Sequence, residues 1–241
     1  GQPAKIDEIK KIAKKHKVKI IEDSAEALGA TYKGRKIGIK SDCATFSFFA
    51  NKTITTGEGG MLVFKNKKAS ELAKLLRNQG QSLKKQFWHD NAGFNFRMTN
   101  IQAALGVAQM KKINKFISKR KMIFKFYNDK LKKSKKIKFL PSNSWSENSY
   151  WYYTILINNI GKFQRNRLIK TLKSYGIETR PGFYPLNTME PYKKYAQGTY
   201  KVSYNIGQNA ITLPTFYSLE KKQQSYIVKI LLKILKKYEN K

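Results

Sequence analysis

The first part of the chain alternates between helical and extended patterns of apolar residues. Apolar positions recur three and four residues apart over residues 3–17, which predicts a helix. The apolar run at residues 18–21 follows and predicts a strand that leads into Asp23. A helix followed by an apolar strand is typical of α/β folds, in which ligands lie at the carboxyl ends of strands. Asp23 is therefore a candidate ligand residue, and the alternative is that it only caps the next turn.

The most informative stretch of the chain runs from residue 45 to residue 64. An aromatic run, a lysine, several threonines and a Gly-Glu-Gly-Gly turn precede a second apolar run, which predicts strand, loop and strand. Lys52 and Glu58 are its only charged residues. Desolvation disfavours a lysine ammonium, and a neutral amine is the form needed for Schiff-base chemistry. Lys52 is therefore a candidate catalytic lysine, and the alternative is a surface lysine at a strand end.

The middle of the chain predicts a long helix. Thr99 is placed to cap it, and Ile101 and Leu105 lie on its predicted inner face. The helix is expected to run, straight or kinked, to about residue 133.

The second part of the chain begins near a run of basic residues followed by Pro and Ser, at residues 132–148. We place a domain boundary in this neighbourhood or slightly before it, which gives predicted domains 1–130 and 131–241. Residues 150–157 form the clearest strand in the chain. An amphipathic pattern at residues 218–237 predicts a closing helix with one apolar inner face, formed by Ile227, Ile230, Leu231 and Ile234.

Composition narrows the classes of protein and of site. The chain has 241 residues and is 41% hydrophobic, so a packed core is expected. It has no run of about 18 or more apolar residues, so we expect no membrane-spanning helix. The single cysteine, Cys43, excludes an intramolecular disulfide, and with two histidines a Cys/His zinc site is not expected. We therefore expect no metal site and a reducing, cytoplasmic setting.

The net charge of +34, with a pI near 10.1, has two interpretations. The first is a protein that binds polyanions such as nucleic acid or an anionic membrane face, and the second is compositional bias. Only seven of the 49 basic residues are arginine, the residue that reads base edges through a bidentate fork. The lysines also lie all along the chain, so specific nucleic-acid binding is not expected.

Five motifs follow one another along the chain. They are Ile21-Glu22-Asp23-Ser24-Ala25-Glu26-Ala27-Leu28-Gly29, Phe46-Ser47-Phe48-Phe49-Ala50-Asn51-Lys52, Gly57-Glu58-Gly59-Gly60-Met61, Gly93-Phe94-Asn95-Phe96-Arg97-Met98, and Arg180-Pro181 with Tyr184-Pro185-Leu186. In this order they resemble the pyridoxal-phosphate-dependent sugar aminotransferases of the DegT/DnrJ/EryC1/StrS family, over nearly the whole chain. Residues 51–60 are most similar to the perosamine-synthase branch, which aminates C4 of a nucleotide-linked 4-keto-6-deoxy sugar.

The resemblance implies a fold as well as a chemistry. The expected fold is the α/β fold of PLP-dependent transferases, of the aspartate aminotransferase type (type I). Residues 1–130 would be the remainder of a large cofactor-binding domain, and residues 131–241 a small C-terminal α/β domain. Family members usually begin with a further N-terminal segment, so the chain is expected to be N-terminally truncated and to hold the cofactor poorly alone.

The resemblance also implies roles for individual residues. Lys52 matches the lysine that forms the Schiff base with pyridoxal 5′-phosphate and then moves a proton between substrate and cofactor carbons. Asp23 matches the partner of the pyridine nitrogen, Glu26 lies beside the ring hydroxyl, and Ser47 matches the serine that donates to the cofactor phosphate. Asn95 matches an asparagine that reaches the neighbouring subunit's cofactor phosphate, which implies a homodimer with shared active sites.

Substrate contacts are expected from Arg97, Tyr184 and Asn187. Relatives often read Tyr-Pro-Leu-His where this chain has Asn187 in place of the histidine, so the contacts at this point differ from theirs. Two of the site residues also have simpler interpretations, since Ser47 is an ordinary strand residue and Asn95 an ordinary turn former.

The implied activity is the transfer of an amino group, with glutamate as the expected donor, to a nucleotide-linked 4-keto-6-deoxy sugar. One alternative is a sugar dehydratase on the same fold, but those relatives carry histidine where this chain has Lys52. The other alternative is a non-enzymatic, basic protein that binds polyanions.

Overall fold

The structure is a computed structural model that describes residues 1–82 and 84–237. The chain divides into two compact units. The first unit consists of Gly1–Ile117 and Ser142–Trp151, and the second of Ser118–Pro141 with the described chain from Tyr152 onward.

This division differs from a single cut at residue 130. It falls after Ile117, and the segment Ser142–Trp151 returns to the first unit. The assignment of residues 1–130 and 131–241 to a large and a small domain stays a prediction.

Short helices and strands alternate along the described chain. In order they are α1 Ile6–Lys15, β1 Ile21–Asp23, β2 Thr31–Tyr32, β3 Arg35–Lys36, β4 Cys43–Ser47, β5 Gly60–Phe64, α2 Lys67–Arg77, α3 Asn100–Met110, α4 Ile113–Leu131, β6 Ile137–Phe139, β7 Ser146–Glu147, β8 Tyr153–Ile157, α5 Gly161–Ser174, β9 Arg180–Pro181, a 3-10 turn Leu186–Thr188, α6 Glu190–Lys193, α7 Lys201–Asn209, β10 Ala210–Leu213 and α8 Lys221–Lys237.

A three-stranded sheet, in the order β1-β4-β5, forms the frame of the first unit. β1 runs parallel to β4, and β4 pairs antiparallel with β5. The strand, loop and strand predicted between residues 45 and 64 are therefore confirmed. The strand predicted at residues 18–21 lies slightly later, at Ile21–Asp23, so that Asp23 is its last residue.

A second small sheet, in the order β3-β2-β7, ties the segment Ser142–Trp151 into the first unit. The backbone N–H of Lys33 donates to the carbonyl of Trp145 at 2.7 Å. The rings of Tyr32 and Trp145 meet edge to face, with centroids 5.5 Å apart. These contacts anchor the segment within the first unit, although it follows α4 in sequence.

The helix predicted after Thr99 is present but broken. Thr99 Oγ1 accepts from the backbone N–H of Gln102 at 3.3 Å, and the Gln102 side chain accepts from the Thr99 N–H at 2.9 Å, which completes a capping box. α3 ends at Met110 and α4 runs from Ile113 to Leu131, so two helices stand where one continuous helix was predicted, and the second ends close to the predicted residue 133. The predicted inner face is wrong within the described residues, since Ile101 is 78% exposed and Leu105 51%.

The second unit has a four-stranded antiparallel sheet in the order β6-β8-β10-β9. Its core includes Leu168 and Leu172 of α5, both fully buried. The predicted inner face of α8 is confirmed, and all four of its residues are buried: Ile227, Ile230, Leu231 and Ile234. The strand predicted at residues 150–157 begins only at Tyr153.

Truncation of Leu231 is expected to destabilise the second unit. Its side chain is completely buried, so Leu231→Ala removes apolar contacts and leaves a cavity. The free energy of unfolding should fall by about 2–5 kcal/mol, measured by chemical denaturation. Leu140, a leucine of the same unit, is 45% exposed, and Leu140→Ala should change that value by about 0.5 kcal/mol or less. Equal effects of the two substitutions would contradict the assignment of this core.

Candidate active site

The carboxyl ends of β1 and β4 bring Asp23 and Ser47 to the same edge of the sheet. Asp23 pairs with Thr45, and Ser47 lies two residues further along β4 as its last residue. Because the two strands are parallel, their carboxyl ends meet where α/β folds bind ligands. Lys52 follows β4 on the loop that leads to β5.

The carboxylate of Asp23 has partners on both strands. Its Oδ1 accepts from Thr45 Oγ1 at 3.2 Å and from the backbone N–H of Ala25 at 3.0 Å. The second contact is the turn cap considered from the sequence, and it occupies the same oxygen as the first. Within residues 1–82 and 84–237 both hydrogen bonds are made by Oδ1, which leaves Oδ2 to accept from a ligand.

Lys52 is mostly covered by a carboxylate and an aromatic ring. Its side chain is 12% exposed, and its Nζ lies 3.8 Å from Glu26 Oε1. The same Nζ lies 3.8 Å from the centroid of the Trp151 ring. The low exposure of Lys52 agrees with the expectation from sequence. The pocket around its amine, formed by Glu26 and Trp151, nevertheless contains a charged carboxylate. Both neighbours stabilise a positive charge at Nζ.

The indole of Trp151 is fixed to the chain next to Lys52. Its Nε1–H donates to the backbone carbonyl of Asn51 at 2.7 Å. Two residues earlier, Ser149 Oγ donates to the backbone carbonyl of Glu26 at 2.8 Å. Sequence reasoning placed Trp151 in a strand and missed its contact with the lysine. No local pattern in the sequence marks this contact, because Trp151 follows Lys52 by 99 positions.

The Gly-Glu-Gly-Gly turn is explained by close approach to β4. The backbone N–H of Phe48 donates to the carbonyl of Gly59 at 2.8 Å. Gly59 has a φ of +135°, and a Cβ on Gly60 would lie 2.8 Å from the carbonyl oxygen of Phe46. The glycines therefore let the loop fold back onto the strand that carries Ser47.

Ser47 is half-buried and keeps a donor available. Its Oγ accepts from the backbone N–H of Phe49 at 3.3 Å. No contact among the described residues uses the hydroxyl hydrogen, so it can be donated to an anion such as a phosphate.

Asn95 and Arg97 lie in the first unit on an exposed loop. Asn95 forms an isolated bridge with Asn78. The rings beside it, Phe94 and Phe96, stack with centroids 5.0 Å apart and are 56% and 71% exposed. Among the contacts of the described residues, none joins Asn95 or Arg97 to Lys52.

Tyr184 and Asn187 belong to the second unit and are described within it. The Tyr184 ring lies 5.8 Å from the guanidinium carbon of Arg165, a fully buried side chain. Arg165 Nη1 donates to the carbonyl oxygens of Gly207 and Ala210, each at 3.1 Å. Burial lowers the pKa of Arg165, and Tyr184 partly offsets the change.

Asn187 has a partner that sequence reasoning did not single out. Its Nδ2 donates to the hydroxyl of Tyr204 on α7 at 3.0 Å. This bond orients the Asn187 amide within the second unit, at the position where relatives often carry a histidine.

Comparison with known families decides the assignment. The model of the DegT/DnrJ/EryC1/StrS aminotransferase family matches residues 1–232. The chain belongs to this family. The resemblance drawn from the five motifs is therefore confirmed.

Relatives and solved structures within the family cover almost all of the chain. A GDP-perosamine synthase of Caulobacter vibrioides is 37% identical over 236 residues, which are 98% of this chain and 64% of the relative. The structure of Helicobacter pylori PseC, an aminotransferase involved in pseudoaminic acid biosynthesis, gives a TM-score of 0.90 at 28% identity. It covers 96% of this chain and 63% of PseC.

A second solved structure bears on the cofactor. Spr1654 of Streptococcus pneumoniae, in its PLP form, gives a TM-score of 0.89 at 27% identity and covers 98% of this chain and 66% of that one. The α/β fold of PLP-dependent type I transferases is therefore confirmed, and so is pyridoxal 5′-phosphate as the cofactor of the family. The chain spans 64% of the C. vibrioides relative, and the roles of individual residues stay predictions.

The residues at the edge of the sheet fit this cofactor. Lys52, on the loop after β4, offers a mostly covered primary amine, Asp23 an available carboxylate oxygen, and Ser47 a hydroxyl donor. Asn51 Oδ1 is buried and has no hydrogen-bond partner among the described residues, so an acceptor beside Lys52 awaits a donor. No group of three or more His, Cys, Asp or Glu suited to a metal is found in the described part of the chain.

Proposed function

We propose that this chain carries the catalytic lysine of a pyridoxal-phosphate-dependent aminotransferase. It would convert a nucleotide-linked 4-keto-6-deoxy sugar to the 4-amino sugar, with glutamate as the amino donor. The observation that supports the proposal is the low exposure of the Lys52 amine beside Glu26, on the loop that follows the strand ending at Ser47. The similarity to a GDP-perosamine synthase supports the class of substrate.

Each residue of the site would have a different role in the reaction. When bound, pyridoxal phosphate supplies an aldehyde that captures amines and a ring that draws electrons from the carbon being deprotonated. Lys52 takes and returns a proton at Nζ, close to the reacting carbons. Asp23 would hold a proton on the ring nitrogen through its carboxylate, and Ser47 would bind the phosphate through its hydroxyl hydrogen. Glu26, at 3.8 Å, stabilises the proton at Nζ when Lys52 carries it.

The proposal includes a homodimer with shared active sites. Asn95 is exposed in the first unit. The residues before and after it in sequence, Phe94 and Phe96, have exposed rings that stack on each other. Exposed aromatic rings beside a polar side chain are typical of protein–protein interfaces. A partner copy that covered these rings would bring its own Asn95 towards the cofactor phosphate. Sedimentation velocity tests the dimer.

The location we propose is the cytoplasm, where a single cysteine stays reduced. In the described part of the chain, no helix has the length and apolar character needed to cross a membrane.

The test of the function is a panel of nucleotide-linked keto-sugars incubated with glutamate and pyridoxal phosphate. We expect an amino sugar from 4-keto-6-deoxy substrates, detected by mass spectrometry, and no product when glutamate is left out. The charge of +34 would help to attract a substrate that carries a diphosphate. Loss of a hydroxyl without amination would favour the dehydratase alternative. Absence of both products, with salt-dependent binding of nucleic acid, would favour the polyanion-binding alternative.

A further inference from the structure

We propose that Trp151 is a positioning residue for Lys52, and that its indole face holds the lysine amine whenever that amine is not bonded to the cofactor. The inference rests on the proposed function for the role of Lys52. The contact itself is a property of the chain without any ligand, so it can be measured separately.

The first argument is the geometry of the contact. Lys52 Nζ lies 3.8 Å from the centroid of the Trp151 ring, well inside the roughly 6 Å over which an ammonium is attracted to an aromatic face. Tryptophan is the aromatic residue that makes this attraction strongest. Trp151 is 5% exposed and the Lys52 side chain 12%, so both groups are largely withdrawn from water, which strengthens the attraction.

The second argument is that the indole is tied down at its polar end. Its Nε1–H donates at 2.7 Å to the carbonyl of Asn51, the residue directly before Lys52. The ring therefore contacts the terminal amine of the lysine through its face and the adjoining backbone through its edge. A ring held in this way fixes the distance between the backbone at residue 51 and the amine of Lys52.

The third argument is that the rest of the pocket is fastened to the same segment. Ser149 Oγ donates at 2.8 Å to the backbone carbonyl of Glu26, whose carboxylate lies 3.8 Å from Lys52 Nζ. The segment that carries Trp151 thus also locates the second group that stabilises the amine. The amine of Lys52 therefore contacts two chemically different groups, the π face of an indole and a carboxylate.

This arrangement has a use in transamination. A lysine side chain is flexible, and its amine must be near the reacting carbon each time a proton is moved. If the released amine had no partner in the pocket, it would sample many side-chain conformations and would seldom lie near the reacting carbon. A resting place on Trp151 keeps Nζ within the pocket between the two halves of the reaction.

The test is competitive labelling of lysine amines in the full chain without cofactor, read peptide by peptide by mass spectrometry. We expect Trp151→Leu to raise the labelling rate of Lys52 several-fold, because the amine loses its cover and its cation–π partner. Trp151→Phe, which keeps a weaker aromatic face but no N–H, should give an intermediate rate. Trp145→Leu is the matched control, since Trp145 lies in the same segment and packs on Tyr32.

An unchanged Lys52 rate in folded Trp151→Leu, checked by circular dichroism, would overturn the inference, and so would an equal increase in Trp145→Leu. If Trp151→Leu does not fold, Trp151→Phe carries the test with the same criteria. In the active protein, Trp151→Phe should lower kcat and leave KM nearly unchanged, since the ring serves the lysine. Failure of the sugar panel with wild-type protein would remove the proposed function, while the labelling result would still stand.

Discussion

Lys52→Ala is expected to abolish transamination, with a loss of at least about 10²–10⁴-fold in kcat. The substitution removes the amine that we propose moves the proton, and neither described neighbour of that amine replaces it. Glu26 lies 3.8 Å away, and Trp151 has no basic group. The visible absorbance that pyridoxal phosphate gains on forming a lysine adduct should be lost in the same variant.

The control for this substitution is another lysine of the first unit. Lys65 Nζ donates to the backbone carbonyl of Lys40 at 3.0 Å, in an exposed position after β5. Lys65→Ala should keep both the spectrum and the rate, because its amine takes no part in the pocket. Should Lys52→Ala keep the spectrum of the wild type, the assignment of the catalytic lysine would be wrong.

Features that depend on neighbouring residues were predicted correctly. Thr99 caps the start of α3 as predicted, and the buried face of α8 was predicted by its helical period. Asp23 was placed at a strand end because an apolar run stops before it. Each of these features depends on residues close together in sequence, where propensity and period act directly.

Features that depend on tertiary contacts were not predictable in the same way. Trp151 follows Lys52 by 99 positions in the sequence, and its aromatic neighbours favour a strand from residue 150 onward. The structure instead gives Tyr150 a φ of +55° and assigns Ser142–Trp151 to the first unit. The pairing of β7 with β2 holds that segment in place, and no local pattern encodes a contact across so long a separation.

The exposed face of α3 shows a different limit. An apolar period reports which side of a helix favours burial, but not which element covers it. Ile101 and Leu105 have the predicted period and stay exposed among the described residues. A partner copy, which we propose from Asn95, is one surface that would bury such residues.

The net charge of the chain says less about function than the surroundings of one lysine do. A net charge of +34 is a feature of nearly the whole sequence, whereas the low exposure of Lys52 is a property of one side chain in its fold. Its side chain is 12% exposed, between a carboxylate and an indole, while Lys19 and Lys67 are 85% and 91% exposed. The environment of a single lysine therefore carries more functional information than the total charge.

Asp23→Asn is expected to lower kcat/KM by about 10- to 150-fold, the range that corresponds to the roughly 1.5–3 kcal/mol of a hydrogen bond to a charged group. The amide keeps an oxygen for Thr45 Oγ1 and the Ala25 N–H, so the local turn should survive. What it loses is the negative charge that we propose holds a proton on the ring nitrogen. Asp23→Ala, which also loses the two local contacts, should weaken retention of the cofactor further.

Asp42 provides the matched control for the loss of a carboxylate. It lies directly before β4, accepts from the backbone N–H of Ile20 at 3.0 Å, and contacts Lys19 at 3.4 Å. The Ile20 hydrogen bond, more than Lys19, holds its pKa below the ordinary value, which marks a structural role. Asp42→Asn should therefore alter stability and leave kcat/KM within about twofold, since Asp42 takes no part in the proposed reaction. Both substitutions remove one negative charge and keep the size of the side chain. If Asp23→Asn behaved like Asp42→Asn in kinetics and in cofactor retention, the charge of Asp23 would have no role in the reaction, and Asp23 would only cap a turn.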